Sequence, residues 1–150
     1  MGLHYEDFNV GDVYTGPGRT ITETDVVNFA GLSGDFNLIH TDEEYAKSNS
    51  PYETRIAHGL LGLSIASGLM TRIGIFEGTV IAFLGLEWNF TGPIYLDDTV
   101  HFRMTIEHMR ETSKADRGII TRKVELLNQN EKVVQEGTMT IMVKRKPKGE

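Results

Sequence analysis

The chain contains no cysteine, which excludes a disulfide framework and a thiolate nucleophile and fits a cytosolic protein. Long apolar runs are missing too: none approaches the ~18 residues that a spanning helix needs, so no membrane span is expected. Residues Met1 to Asp7 carry neither the basic nor the apolar region of a secretory signal, so none is expected. Positive charge is scarce as well. A net charge of -6 argues against a nucleic-acid surface. The exception is Lys144-Arg145-Lys146-Pro147-Lys148, read here as the solvated end of a strand. There is no Gly-x-Gly-x-x-Gly run, no P-loop, no internal repeat and no low-complexity segment, so no nucleotide cofactor is implied. What remains is 150 residues, enough for one domain, 1–150, with a sizeable core.

The periodicity divides the chain in two. In the first part, Val10 to Tyr14 is a short extended piece broken by Gly16-Pro17-Gly18. Thr22 offers an N-cap to a helix that Gly31 and Gly34 end. Thr41 with Glu44 reads as a capping box for a second short helix closing at Ser48 to Pro51. From Gly59 to about Gly74, apolar residues point in nearly every direction around a helix, the mark of a buried one. The period then changes to two. Val80 to Phe90, Thr99 to Met109, Ile119 to Leu127 and Val133 to Val143 read as strands, with turns at Lys114 to Gly118 and Asn128 to Asn130. Val100, Phe102, Met104 and Ile106 share one face, and His101 and His108 are expected at the surface. The pattern gives an α+β fold in which an antiparallel sheet wraps around a long central helix.

Two short stretches carry chemistry. Asp35-Phe36-Asn37-Leu38-Ile39-His40 puts a carboxylate, an amide and an imidazole on one loop, and Ile56-Ala57-His58-Gly59 stands where the apolar helix begins. A carboxylate and an imidazole exchange protons with water near neutral pH, and free amides at a helix start polarise a carbonyl. Each residue alone has an ordinary use. Asp35 and Asn37 serve turns, His40 a half-buried interior, His58 a helix start where an imidazolium is disfavoured, and Ser64 close packing within a helix. The spacing shared by Asp35, Asn37 and His40 tips the reading toward chemistry. Asp35, His40 and His58 are in principle three metal ligands, but no zinc-finger or His-Glu-x-x-His spacing accompanies them, and no metal is expected.

These residues resemble a known family. Asp35 to His40 is similar to the Asp-x-Asn-Pro-x-His motif of the MaoC-like family, which includes the (R)-specific enoyl-CoA hydratases. The match holds at Asp35, Asn37 and His40 and departs at Leu38, where proline is usual. Ile56 to Gly59, Leu86 to Ile94 and Asp97 to Val100 resemble further family segments, and Ser64 falls where the helix often carries a serine. The resemblance, running from about Tyr5 to about Val143, implies a hotdog fold and reversible hydration of a trans-2-enoyl-CoA to the (R)-3-hydroxyacyl-CoA. It implies that Asp35 and His40 activate water, Asn37 orients them, and Gly59 supplies a backbone N–H to the thioester oxygen, with His58 and Ser64 beside the substrate. Coenzyme A enters as part of the substrate, so no separate cofactor is expected. A homodimer with the site at the subunit interface is expected too. Arg55, Arg72, Arg117 and Arg122 are available for the coenzyme phosphates, and Leu69, Phe76, Phe83 and Trp88 for an acyl tunnel. An acyl-CoA thioesterase on the same fold and a non-catalytic acyl-thioester-binding subunit are the rival readings.

Overall fold

Alternation of buried and exposed positions builds a sheet whose inner face must be covered. In the computed structural model, which describes residues 1–147, the elements run in chain order. They are β1 (Val13–Thr15), β2 (Arg19–Thr20), α1 (Glu23–Ser33), α2 (Leu38–Thr41), α3 (Glu43–Asn49), α4 (Gly59–Arg72), β3 (Val80–Phe90), β4 (Thr99–Glu111), β5 (Arg117–Leu127) and β6 (Val133–Lys144). Lys148, last of the basic run, lies outside the described residues. Val100, Phe102, Met104 and Ile106 are all fully buried on one face of β4, as their spacing predicts. His108 is exposed, whereas His101 is half-buried with its Nε2 3.3 Å from a Glu131 carboxylate oxygen.

The sheet order is β1-β4-β5-β6-β3, with β2 paired to β4 and every pairing antiparallel. Of the four long strands, β3 therefore lies beside the last, β6, at one edge. The chain reaches that edge because α4 crosses the concave face before β3 begins. Leu61, Ile65, Ala66, Leu69 and Met70 of α4 join the strand residues in one core.

Three local readings change. α4 is buried along one face only: Leu60, Ser64, Ser67 and Gly68 are exposed, because a single sheet covers a single side. α3 is capped by Asp42, whose carboxylate accepts from the Tyr45 N–H at 2.9 Å, and not by Thr41. Thr41 is already spent in α2, where its hydroxyl donates toward the Phe36 and Asn37 carbonyls. Gly31 lies inside α1, which ends at Gly34, and the Thr22 cap stands with Asp25 completing the reciprocal pair.

Candidate active site

The loop carrying the acid and the imidazole is held by its own turns. Ser33 Oγ accepts from the Asp35 N–H, Asp35 Oδ1 from the Asn37 N–H at 3.1 Å, and Asn37 Oδ1 from the Ile39 N–H at 3.2 Å. Asn37 is thus the cap of α2, with its side chain outside the lining of the cavity described below. Leu38 opens that helix at the first position, where proline fits and a free N–H costs nothing, so the exchange of one for the other leaves the loop intact.

A second set of bonds clasps this loop to the start of α4. The Ile56 N–H donates to the Ile39 carbonyl at 3.2 Å, and His40 Nδ1–H donates to the Ile56 carbonyl at 2.7 Å. A carbonyl only accepts, so His40 carries its proton on Nδ1 and presents Nε2 as a lone pair. His58 Nε2–H donates to the Asp35 carbonyl at 2.9 Å, while its Nδ1 is buried with no partner among the described residues. The two imidazoles stack with centroids 3.9 Å apart, and the Phe29 ring packs at a tilt on His58, 4.9 Å between centroids.

Burial is the main force on His40. It pushes the pKa below the ordinary 6.5, aided by the neighbouring His58 and opposed by the Ile56 bond and Asp35. His40 is therefore an unprotonated base at neutral pH. A reaction that uses His40 as its base is expected to persist as pH falls to 6.5, where an unshifted histidine would be half protonated, and to decline only below that. A kcat/KM profile checks this, and an acid limb above pH 6.5 would contradict it. The linked stability has the same sign: it is intact above the unfolded pKa and lost as pH falls through the folded one.

Asp35, His40, His58 and Gly59 all line one open cavity of about 840 Å³, walled also by Phe29, Tyr52 and Phe90. Asp35, His40 and His58 each offer a polar atom within 4.8 Å of the others. One nitrogen of each ring is bonded to a backbone carbonyl, His40 Nδ1 to Ile56 and His58 Nε2 to Asp35, which leaves His40 Nε2 and His58 Nδ1 as the lone pairs. The N–H groups of Gly59 and Leu60, at the start of the 14-residue α4, have no acceptor among the described residues. A Cβ on Gly59 would stand 2.8 Å from the Phe90 ring, so glycine here seats that ring against the helix.

Other expected contributors lie elsewhere. Ser64 donates to the Leu60 carbonyl at 2.8 Å and lines a separate hollow with Asn28 and Leu32. Arg55 is tied to Glu23 and Glu43, and Arg117 to Asp116. Arg122 is buried against the Phe76 ring and two methionine sulfurs, and burial draws its pKa down to about 10. Arg72 alone of the four is exposed without an ion pair among the described residues. Leu69, Phe76, Phe83 and Trp88 do not line the cavity. Phe29, Tyr52, Phe90 and Gln135 do, and sequence reasoning missed all four. Alternation gave a signal only for Gln135, a polar residue at an inward position of β6.

An acid, an imidazole and helix-start amides without acceptors among the described residues line one cavity, under a sheet folded over a helix as in a hotdog domain. A Mycobacterium tuberculosis protein described as a double hotdog shares the fold. It superposes with a TM-score of 0.86 at 18% identity, covering 99% of this chain and 46% of that one. Residues 8–128 match the MaoC like domain, and the chain belongs to that family. An (R)-specific enoyl-CoA hydratase of Rhodospirillum rubrum is 34% identical over 94% of this chain and 92% of its own. Protein MaoC of Klebsiella aerogenes is 38% identical over 76% of this chain, which spans about a third (33%) of that relative's length.

Proposed function

We propose that the protein catalyses reversible hydration of trans-2-enoyl-CoA thioesters to (R)-3-hydroxyacyl-CoA. The observation that carries this reading is the His40 ring, its Nε2 left as a lone pair, grouped with the Asp35 carboxylate in the same cavity as Gly59 and Leu60 amides that have no acceptor among the described residues. In hydration, a water held by Asp35 and His40 gives up a proton as its oxygen bonds to C3. The C2–C3 double bond shifts electrons toward the thioester, whose oxygen accepts from the helix-start amides, and C2 then takes a proton. Dehydration reverses each step. The (R) hand is supported by the named activity of the Rhodospirillum rubrum relative.

The same reading implies a homodimer, and the exposed edge of the sheet suits one. β3 is a sheet edge with Ile81, Phe83, Leu84, Leu86 and Phe90 exposed, an apolar border that pairing with a second copy covers. Phe90 stands at once on that edge and in the cavity wall, so a partner subunit would border the site.

The test is loss of the enoyl-thioester absorbance with crotonyl-CoA and longer enoyl-CoAs, followed by chiral analysis of the product. Turnover to the (R) alcohol is expected. An (S) product, or release of free thiol from saturated acyl-CoA in place of hydration, would overturn the assignment.

A further inference from the structure

Gln135 is a polar side chain, 1% exposed, in the wall of the catalytic cavity. Its amide bridges two groups: Oε1 accepts from Trp88 Nε1–H at 3.0 Å, and Nε2–H donates to the Gly59 carbonyl at 2.9 Å. The indole only donates and the carbonyl only accepts, so one orientation of the amide satisfies both. The fold makes room for it. A Cβ at Gly62 would collide with Gln135 Nε2, so that turn of α4 is kept bare where the amide lies against it.

The Gly59 carbonyl and the Leu60 N–H are the two ends of one peptide group. A hydrogen bond given to the carbonyl draws density from the nitrogen and makes the N–H a stronger donor. That N–H has no acceptor among the described residues, and Leu60 lines the cavity. We infer that Gln135, held by Trp88, is a positioning residue that aims and polarises the first-turn amides of α4 toward the substrate's thioester oxygen. This rests on the hydratase reading above. The strands carry the relay in register, since Gln135 pairs with Phe90, and Trp88, two residues earlier on β3, pairs with Gly137.

The test compares full-length wild type with Gln135→Met, which keeps length and loses both polar atoms, and with Trp88→Phe, which keeps a ring and loses the donor. Gln135→Met is expected to lower kcat on crotonyl-CoA about 10-fold, less than deletion of an oxyanion donor would, with KM held within about two-fold. Trp88→Phe is expected to lower kcat less, and the double variant no further than Gln135→Met alone. Two signals are independent of turnover. The Leu60 amide ¹⁵N resonance is expected to move upfield in Gln135→Met, and the emission of Trp88, the sole tryptophan, to shift to the blue. A folded Gln135→Met with wild-type kcat, or an unmoved Leu60 resonance, overturns the inference. Should Gln135→Met fail to fold, Trp88→Phe with wild-type kcat and Leu60 resonance overturns it alike. Failure of the hydratase reading looks different: the wild type itself leaves crotonyl-CoA unchanged, and the Leu60 and Trp88 signals still decide whether the relay exists.

Discussion

His40→Ala is expected to lower kcat for hydration by about 10² to 10⁴, and Asp35→Ala by about 10² or more, with circular dichroism unchanged. On the proposed hydratase reading, each variant removes half of the grip on water. His40 supplies the lone pair at Nε2, and its partner nitrogen is committed to the Ile56 carbonyl. Asp35 supplies a carboxylate whose Oδ1 already accepts from the Asn37 N–H, which fixes the side chain without consuming its second oxygen. A control separates chemistry from scaffolding. His40→Gln retains an amide able to donate toward Ile56 but has no titrating nitrogen. Equal losses in His40→Ala and His40→Gln locate the defect in proton transfer, and recovery in His40→Gln locates it in the loop. Turnover near wild type in both alanine variants would sink the assignment.

Gly59→Ala is expected to cut kcat/KM by about 10², because a displacement of even an ångström at an oxyanion donor has that scale of effect. The added Cβ meets Phe90 Cδ1 and Cε1 at 2.8 Å, so either the ring or the start of α4 must move. Movement of the ring constricts the cavity and raises KM. Movement of the helix turns the Gly59 and Leu60 amides away and lowers kcat. Steady-state kinetics on Gly59→Ala, Phe90→Ala and the double variant distinguish the two. Recovery of kcat in the double variant identifies the clash as the cause, whereas no recovery means that the methyl group itself intrudes on the substrate.

The strands were legible because they obey a period, and the central helix because its apolar run is long, although its one-sided burial was not. Each inward residue from Val100 to Ile106 is where alternation puts it, and the apolar run of α4 is unmistakable. The pairing of β3 with β6 was not legible, since local sequence carries no record of which distant strand is a neighbour. At the site, Asp35, His40, His58 and Gly59 were readable from spacing and do share one cavity. Asn37 was readable only as an amide, and its use as the cap of α2 emerged from a four-residue helix too short to leave a pattern. Thr41 lost its capping role to Asp42 for the same reason. Phe29, Tyr52, Phe90 and Gln135 reach the cavity from four separate parts of the chain, which only tertiary packing brings together. Arg122 was read as an available cation, although alternation sets it inward with Ile120, Val124 and Leu126, where the structure buries it.

The bonds joining Ile39, His40 and Ile56 have a consequence for divergence. They close a loop of chain, so the acid, the imidazole and the helix start keep their spacing whatever lies between residues 41 and 55. That interval contributes Tyr52 to the cavity wall and contains α3. Insertions, deletions and new side chains there can remodel what the pocket accepts while the reaction centre is inherited unchanged, which makes this excursion the place where descendants of one catalyst can acquire different appetites.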